Sequence, residues 1–198
     1  MGELGELVRD YGPWIYALLF AYTALKSGYL PVVAGYFASL GDLDVALVTM
    51  SAFLGAWLGD EARFWIAHRY ADRIRAMPRL ARSIQVAESA IDRYGAWYIF
   101  LYRYAKGLRT LGSIPFGLLG WHWRRFAPLN LSSAAVWVAV TVGLGYLAGG
   151  AAVAAIGDQA GWIGVLMLGL MLAGSAIGVS LAARNVATTS KQPVAPPP

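Results

Sequence analysis

The sequence predicts an all-α integral membrane protein with several membrane-embedded segments. Of 198 residues, 58% are hydrophobic and 14% are charged, whereas soluble domains carry about 45–50% apolar and about 25% charged residues. Many of the 8 tryptophans lie near the ends of apolar runs, as they do in the aromatic belts at membrane–water interfaces. Two of these runs are short arms interrupted by glycine and proline, so broken helices are expected beside continuous ones.

The first apolar stretch, residues 13–40, predicts a hairpin or a broken helix. Its first arm, 13–25, is shorter than the roughly 20 residues that cross a bilayer, and Lys26, Gly28 and Pro31 then interrupt the run. Such a backbone is tolerated at membrane depth only where protein buries it or where it lines a wet cavity. We therefore expect a re-entrant segment here.

A spanning helix and a basic segment follow. Residues 43–68 are long enough to cross the bilayer. Residues 69–93 combine an excess of arginine with apolar side chains at helical spacing, which predicts an amphipathic, cytoplasmic element by the positive-inside rule. Two alternatives stay open for it: a helix that lies on the membrane surface, or a solvated connector whose arginines only set the topology.

The second half of the chain repeats this order. Residues 95–120 form apolar arms broken by charges, glycines and a proline, and predict a second re-entrant hairpin. Residues 126–149 and 161–183 have the length of spanning helices, so a single membrane domain covers 1–183. The basic, proline-rich tail 184–198 is expected to be disordered and cytoplasmic.

The two halves share a weak internal similarity. Phe37 to Gly41 ends the first hairpin and Phe116 to Gly120 ends the second, and each is followed by a long helix with a Ser-Ala pair and a tryptophan. With this topology the two helices cross the membrane in opposite directions, so the pattern predicts an inverted repeat. Transporters built from inverted repeats place the binding site between facing broken helices.

Three cations, Arg103, Lys106 and Arg109, lie inside the second predicted hairpin. The nearest acids along the chain are Asp92 and Asp158, so the charge that the cations neutralise is either distant in sequence or not part of the protein. Each cation at the bilayer centre costs about 2.5–3.5 kcal/mol on insertion scales. Snorkelling relieves part of that cost, and a bound phosphate relieves more because arginine binds it with two parallel hydrogen bonds.

The spacing of the cations allows a phosphate site. Arg103 and Lys106 share one helix face, and a break at Gly107 would turn Arg109 toward them. Thr110 and backbone N–H groups at the break would add donors. The residues alone leave two interpretations open, a phosphate site and a set of cations that marks the cytoplasmic edge.

The sequence disfavours several other functions. The chain has no cysteine and only two histidines, far apart in sequence, so no metal centre or cofactor site is recognisable. No Ser/His/Asp set or paired carboxylate is recognisable at a membrane-embedded position, so we do not expect an enzyme. The net charge of +5 comes largely from residues 69–93, which disfavours a nucleic-acid partner. The N-terminus is acidic, unlike a cleavable signal peptide, so the first apolar segment is expected to remain in the mature protein.

The chain resembles the DedA family of bacterial membrane proteins, which carry the VTT (SNARE-associated Golgi protein) domain. The resemblance rests on GAWYIFLYRYAKGLRT, RRFAPLNLSSAAVW and LGYLAG and covers about residues 26–149. The matching positions in the second half are Arg103, Gly107, Arg109, Thr110, Gly117, Gly120, Phe126, Asn130, Trp137, Gly145, Tyr146 and Gly149. The less specific matches in the first half are Ala34, Gly35, Gly41, Gly59, Asp60 and Arg69.

The resemblance implies a multi-pass protein of the inner (plasma) membrane that moves lipid. Members are associated with the return of undecaprenyl phosphate across the membrane and, in eukaryotic relatives, with phospholipid scrambling. In bacterial members paired arginines work with acids in the first hairpin, and a proton or sodium gradient drives transport. The matching arginines here are Arg103 and Arg109.

This chain departs from the family pattern in its first hairpin. Residues 11–41 contain no Asp or Glu, Lys26 stands near the place of an expected Glu, and Lys106 replaces the usual proline before Gly107. Proton or sodium coupling through that hairpin is therefore not expected. Asp60 and Glu61 either take the coupling role or pair with arginines at their helix end (Arg63 and Arg69), and we favour the pairing.

We expect a translocase whose partners are membrane lipids and whose substrate is a phosphorylated lipid. Arg103 and Arg109 would hold the phosphate, and Lys106 would raise the local potential. One alternative is a transporter of a small inorganic anion. The other is a membrane assembly or structural protein that transports nothing.

Overall fold

A computed structural model describes residues 2–25, 28–104, 111–166 and 169–170 of the protein. These residues form helices joined by short turns, with no strand among them, which confirms the all-α prediction. The helices are α1 (Gly2–Leu25), α2 (Leu30–Ser39), α3 (Val45–Arg69), α4 (Ala71–Arg75), α5 (Pro78–Tyr94), α6 (Tyr98–Leu101), α7 (Ile114–Leu118) and α8 (Trp123–Ile156). Single 3₁₀ turns follow α5 and α8, and residues 160–166 are again helical.

Within the described chain, α8 is the one helix that is both long and apolar enough to cross a membrane. Its apolar part, Trp123–Ala155, is 33 residues long and contains the predicted span 126–149. The helix α3 has the length predicted for the span 43–68, but its second half carries two carboxylates and two arginines. The predicted span 161–183 continues beyond the described residues.

The chain turns back on itself between α1 and α2, where the sequence predicts the first hairpin. The carbonyl oxygens of Ala24 and Leu25 at the end of α1 each lie 2.6 Å from Nη2 of Arg63, in the last third of α3. The helix α2 then ends at Ser39, shortly before α3 begins, so it runs back toward the start of α3. Helix α1 begins at Gly2 rather than at residue 13, and the depth of the hairpin in a membrane stays a prediction.

The long helices α3 and α8 pack against each other in opposite directions. Near the end of α3, Phe64 stacks on Phe126 near the start of α8, with ring centroids 4.4 Å apart. Near the start of α3, Val45 and Thr49 share a groove with Tyr146, late in α8. This antiparallel arrangement is the one that an inverted repeat requires.

The segments that precede these two helices end in the same turn. The N–H of the residue after Gly41 donates to the carbonyl of Phe37 at 3.1 Å, and the N–H of the residue after Gly120 donates to the carbonyl of Phe116 at the same distance. The φ angles of Gly41 and Gly120 are +83° and +68°, a backbone region that favours glycine. The five-residue similarity in the sequence thus corresponds to two equivalent helix-ending turns.

Glycines bring α2 against the backbone of α8. A Cβ atom at Gly145 would overlap the carbonyl oxygen of Val32, and one at Gly149 would overlap Oγ of Ser39. The hydroxyl of Tyr36 donates to the carbonyl of Ala160, beyond the end of α8. The second arm of the first hairpin is therefore fixed along α8.

The basic segment 69–93 folds as α4 and α5, and α5 buries its apolar face against protein. Ile84, Ala87 and Ile91 are buried, and the last two pack in a cluster that includes Phe64 and Tyr98. The apolar stripe predicted for this segment therefore contacts the rest of the fold rather than lying open to a membrane surface.

Candidate functional site

A buried ion pair joins α3 to the residues that follow α6. Oδ2 of Asp60 lies 2.8 Å from Nη2 of Arg103, and both side chains are almost completely buried. The hydroxyl of Tyr102 donates to the same carboxylate oxygen at 2.6 Å, and Ser113 donates to the main-chain carbonyl of Asp60 at 2.6 Å. A buried carboxylate needs such donors because an unpaired charge away from water is costly. The counter-charge of Arg103 is thus distant in sequence.

The helix α8 holds Arg103 from the other side. Nε of Arg103 donates to Oγ of Ser133 at 3.0 Å, and Nη2 donates to Oδ1 of Asn130 at 2.8 Å. Ser133 donates in turn to the carbonyl of Ile99 at 2.7 Å. The remaining nitrogen, Nη1, is buried and has no hydrogen-bond partner among the described residues. One edge of the guanidinium is therefore fixed by protein, and one charged donor is left over.

Arg63 binds the other oxygen of the same carboxylate. Its Nη1 lies 2.7 Å from Oδ1 of Asp60, and its Nη2 donates to the carbonyls of Ala24 and Leu25. These carbonyls lie at the end of α1, where no N–H group within the helix is available to donate to them. Hydrogen bonds therefore run from the end of α1 through Arg63 and Asp60 to Arg103. They join the residues that border both predicted hairpin breaks.

Glu61 binds neutral donors from α8. Its Oε1 accepts from Nδ2 of Asn130 at 3.0 Å, and its Oε2 accepts from Nε1 of Trp123 at 2.8 Å. Asn130 also donates to the carbonyl of Trp57 at 3.2 Å. The amide of Asn130 thus links Arg103 on one side to Glu61 on the other, and it ties α3 to α8 at the level of the ion pair.

The charges of this described centre balance. Two guanidinium groups stand against two carboxylates, namely Arg63, Arg103, Asp60 and Glu61. The sequence then adds two cations shortly after Arg103, and these are Lys106 and Arg109. Both lie outside the described residues, as do the other predicted site positions Gly107, Thr110 and Lys26.

Of the predicted site residues, Arg103 and Asp60 are described, and the structure brings them into direct contact. The predicted pairing of Asp60 with Arg63 is confirmed by the 2.7 Å contact. Arg69 instead lies over the ring of Tyr70, with its Cζ 5.7 Å from the ring centroid. Phosphate binding by Arg103, Lys106 and Arg109 stays a prediction.

Three hydroxyl groups of the centre were not found from the sequence. Tyr102, Ser113 and Ser133 each contribute one hydroxyl to the buried pair or its main chain. Ser133 has a signal in the repeated Ser-Ala pair, which we interpreted as part of an internal repeat. Tyr102 and Ser113 lie in ordinary apolar surroundings, and no spacing rule sets them apart.

The two histidines of the chain line the same open cleft between the end of α3 and the start of α8. His68 and His122 line this cavity of about 280 Å³ with Trp65, Trp123 and Arg124, among others. Across the part of the chain that the structure describes, no group of three or more His, Asp or Glu side chains is placed to hold a metal ion. Two imidazoles fall short of the ligand number of an ordinary zinc site.

Comparisons with known proteins cover most of the chain. The VTT domain family matches residues 25–147. The chain is 29% identical over 163 residues to Protein DedA of Escherichia coli strain K12, with 74% of each chain covered. It has the same identity over 163 residues to an uncharacterised membrane protein of Synechocystis, covering 74% of this chain and 71% of the relative.

A third relative is the inner membrane protein YohD of Escherichia coli strain K12. It is 27% identical over 148 residues, with 74% of this chain and 76% of the relative covered. No solved structure matches the chain. The relatives named as membrane proteins support a membrane location for this chain.

Proposed function

The chain is a membrane protein that belongs to the VTT domain (DedA) family, and from that premise we propose that it moves a phosphorylated lipid between the leaflets of the membrane. The lipid is undecaprenyl phosphate or a phospholipid, as the family resemblance implies. Its phosphate is bound by Arg103 and Arg109, and Lys106 raises the local potential. The protein acts as a transporter by binding and release, without covalent chemistry.

The observation that carries this proposal is the unpartnered Nη1 of Arg103, for which the described chain supplies no acceptor. Buried polar groups are almost always hydrogen-bonded, and leaving a charged donor unsatisfied costs more than leaving a neutral one. A phosphate oxygen is a charged acceptor that suits a guanidinium.

The charge of the centre also supports an anionic ligand. The four described charged groups cancel, so Lys106 and Arg109 add a positive excess to this part of the sequence. A phosphate monoester carries a charge of about −1.5 to −2 near pH 7. The headgroup of undecaprenyl phosphate, a monoester, would therefore offset the two extra cations, and the phosphodiester of a phospholipid would offset one of them.

The neighbours of Arg103 determine where a phosphate makes its first contact. Ser133 and Asn130 occupy Nε and Nη2, and Asp60 shares Nη2. The first contact is therefore with Nη1. A second, parallel bond needs Nη2, so the substrate competes for that nitrogen with Asp60 and Asn130.

The proposal is tested with vesicles that contain undecaprenyl phosphate or an acidic phospholipid. Arg103→Lys keeps the charge but loses the planar fork. We expect lipid retention, measured by native mass spectrometry after gentle extraction, to fall about ten- to a hundredfold, as for the loss of a charged hydrogen bond of about 1.5–3 kcal/mol. Arg109→Lys should behave alike, and Lys106→Gln should lose less because a point charge in a wet cavity is partly screened.

Arg93→Lys is the matched control, because Arg93 is exposed on α5 and its Cζ lies 5.6 Å from the ring centroid of Tyr94. This variant should retain lipid as the wild type does. Unchanged lipid binding and translocation in both Arg103→Ala and Arg109→Ala would refute the proposal. Transport of inorganic phosphate without lipid would instead identify the small-anion transporter, and the absence of both would identify a protein that does not transport.

A further inference from the structure

We propose that Arg63 is a positioning residue that keeps Asp60 neutralised when Arg103 turns to the substrate phosphate. The proposal rests on the lipid-phosphate function proposed above. It assigns a role in the transport cycle to a side chain that contacts Asp60 but is not itself placed at the substrate.

The geometry divides the Asp60 carboxylate between two cations. Arg63 Nη1 lies 2.7 Å from Oδ1, and Arg103 Nη2 lies 2.8 Å from Oδ2. The hydroxyl of Tyr102 also donates to Oδ2. When Arg103 leaves, Oδ1 keeps its ion pair and Oδ2 keeps a hydrogen bond, so neither oxygen loses every partner.

A second cation matters here because the carboxylate is buried. Asp60 is 1% exposed, and removing the partner of a buried charge is strongly unfavourable. Without Arg63, Asp60 would either hold Arg103 against the substrate or need another neutralising charge. An arginine on the opposite oxygen removes this conflict.

The other groups around Asp60 do not replace Arg63. From the second hairpin, Tyr102 and Ser113 contribute uncharged hydroxyls. From α8, Asn130 and Ser133 bind Arg103 rather than the carboxylate. Within the described ranges, Arg63 is the cation that stays on Asp60 once Arg103 has moved.

Arg63 is itself held in place from a second direction. Its Nη2 donates at 2.6 Å to the carbonyls of both Ala24 and Leu25. These bonds fix the guanidinium between the end of α1 and the carboxylate, so it does not follow Arg103 toward the substrate. The same bonds raise an alternative role, in which Arg63 only anchors α1.

A double-substitution experiment separates the two roles. Lipid retention and translocation are measured in vesicles with undecaprenyl phosphate for Arg63→Gln, Arg63→Lys, Asp60→Asn and the combination of Asp60→Asn with Arg63→Gln. If Arg63 neutralises Asp60, Arg63→Gln should slow translocation at least about tenfold, since a buried charge loses its second partner. Arg63→Lys keeps a cation and should stay close to wild type.

The decisive comparison is made in the uncharged background. Once residue 60 is asparagine there is no charge to neutralise, so adding Arg63→Gln to Asp60→Asn should change translocation by less than about twofold. An equal defect in both backgrounds would mean that Arg63 acts through the α1 carbonyls, and the proposal would be wrong. A wild-type rate in Arg63→Gln would overturn it as well.

If a variant does not accumulate in the membrane, the comparison of variants still tests the role of Arg63. If Arg63→Gln does not accumulate but the double variant does, the charge of Asp60 causes the defect and the proposal stands. If neither accumulates, the contact with α1 is the essential role and the proposal fails. Arg103→Ala and Arg109→Ala, measured in parallel, keep the two proposals distinguishable, because wild-type retention in both variants refutes the phosphate site whatever Arg63 does.

Discussion

Asp60 and Arg103 form an ion pair with a 2.8 Å separation between Oδ2 and Nη2, and neither side chain is accessible to solvent by more than 1%. The pair joins a helix of spanning length, α3, to the residues that follow the short helix α6. Each charge compensates the other in an environment that water does not reach. The fold and the candidate site therefore depend on the same contact.

Asp60→Ala should destabilise the protein by about 3–5 kcal/mol, because it leaves Arg103 buried without its partner. The measurement is the free energy of unfolding in detergent. Glu88→Gln is the control, since its ion pair with Arg75 involves a side chain that is 47% exposed and such pairs contribute about 0–1 kcal/mol. Equal effects of the two substitutions would contradict the importance of the buried pair.

Gly145→Ala should separate α2 from α8. The added methyl group would overlap the carbonyl oxygen of Val32, a backbone atom, so a helix must move at a cost of about 1–3 kcal/mol. Gly143→Ala is the matched control in the same helix, because a Cβ there meets no described atom within 4 Å. That substitution should be neutral or stabilise by about 0.5–1 kcal/mol, and a loss as large as that of Gly145→Ala would rule out the packing argument.

Transport should continue when the proton gradient is collapsed. Residues 11–41 contain no Asp or Glu, so the first hairpin offers no carboxylate for proton coupling, and each oxygen of Asp60 already faces an arginine. Translocation in vesicles is measured with and without a proton ionophore. A rate that collapses with the gradient in the wild type and survives in Asp60→Asn would show a coupling group elsewhere and contradict this expectation.

Single cysteines in this cysteine-free chain should report the topology. Ser89→Cys on α5 lies in the segment predicted to be cytoplasmic, and Gln159→Cys lies beyond the far end of α8; both positions are exposed. A membrane-impermeant maleimide on intact cells should label Gln159→Cys and leave Ser89→Cys unlabelled until the cells are opened. The reverse pattern would invert the orientation drawn from the positive-inside rule.

The features of the fold that could be predicted from the sequence are those with a local cause. Helix breaks follow from Gly28 and Pro31, and the two helix-ending turns follow from Gly41 and Gly120, whose positive φ angles need glycine. The burial of the apolar face of α5 was not predicted. An amphipathic stripe fits a membrane surface and a protein surface equally well, and only the tertiary arrangement decides between them.

In the candidate site, too, the local contact could be predicted from the sequence and the contacts between distant residues could not. The i, i+3 pair of Asp60 and Arg63 is local, and a pairing of Asp60 with arginines at its helix end was predicted. The contact of Asp60 with Arg103 was not, because no rule of spacing relates residues on separate helices. Its partners Tyr102 and Ser133 were missed for the same reason, since hydroxyl groups become site residues only when the fold brings a buried charge to them.

The i, i+3 geometry of Asp60 and Arg63 also has a consequence for biogenesis. Both residues belong to one helix, so their ion pair needs only α3 to form and no contact from residues 95–120. We therefore expect the Asp60 carboxylate to be compensated when α3 inserts, which lowers the cost of placing that charge in a membrane. Arg103 comes later in the chain and meets an Asp60 whose charge Arg63 already balances, so Asp60 does not depend on the second half of the chain for its counter-charge.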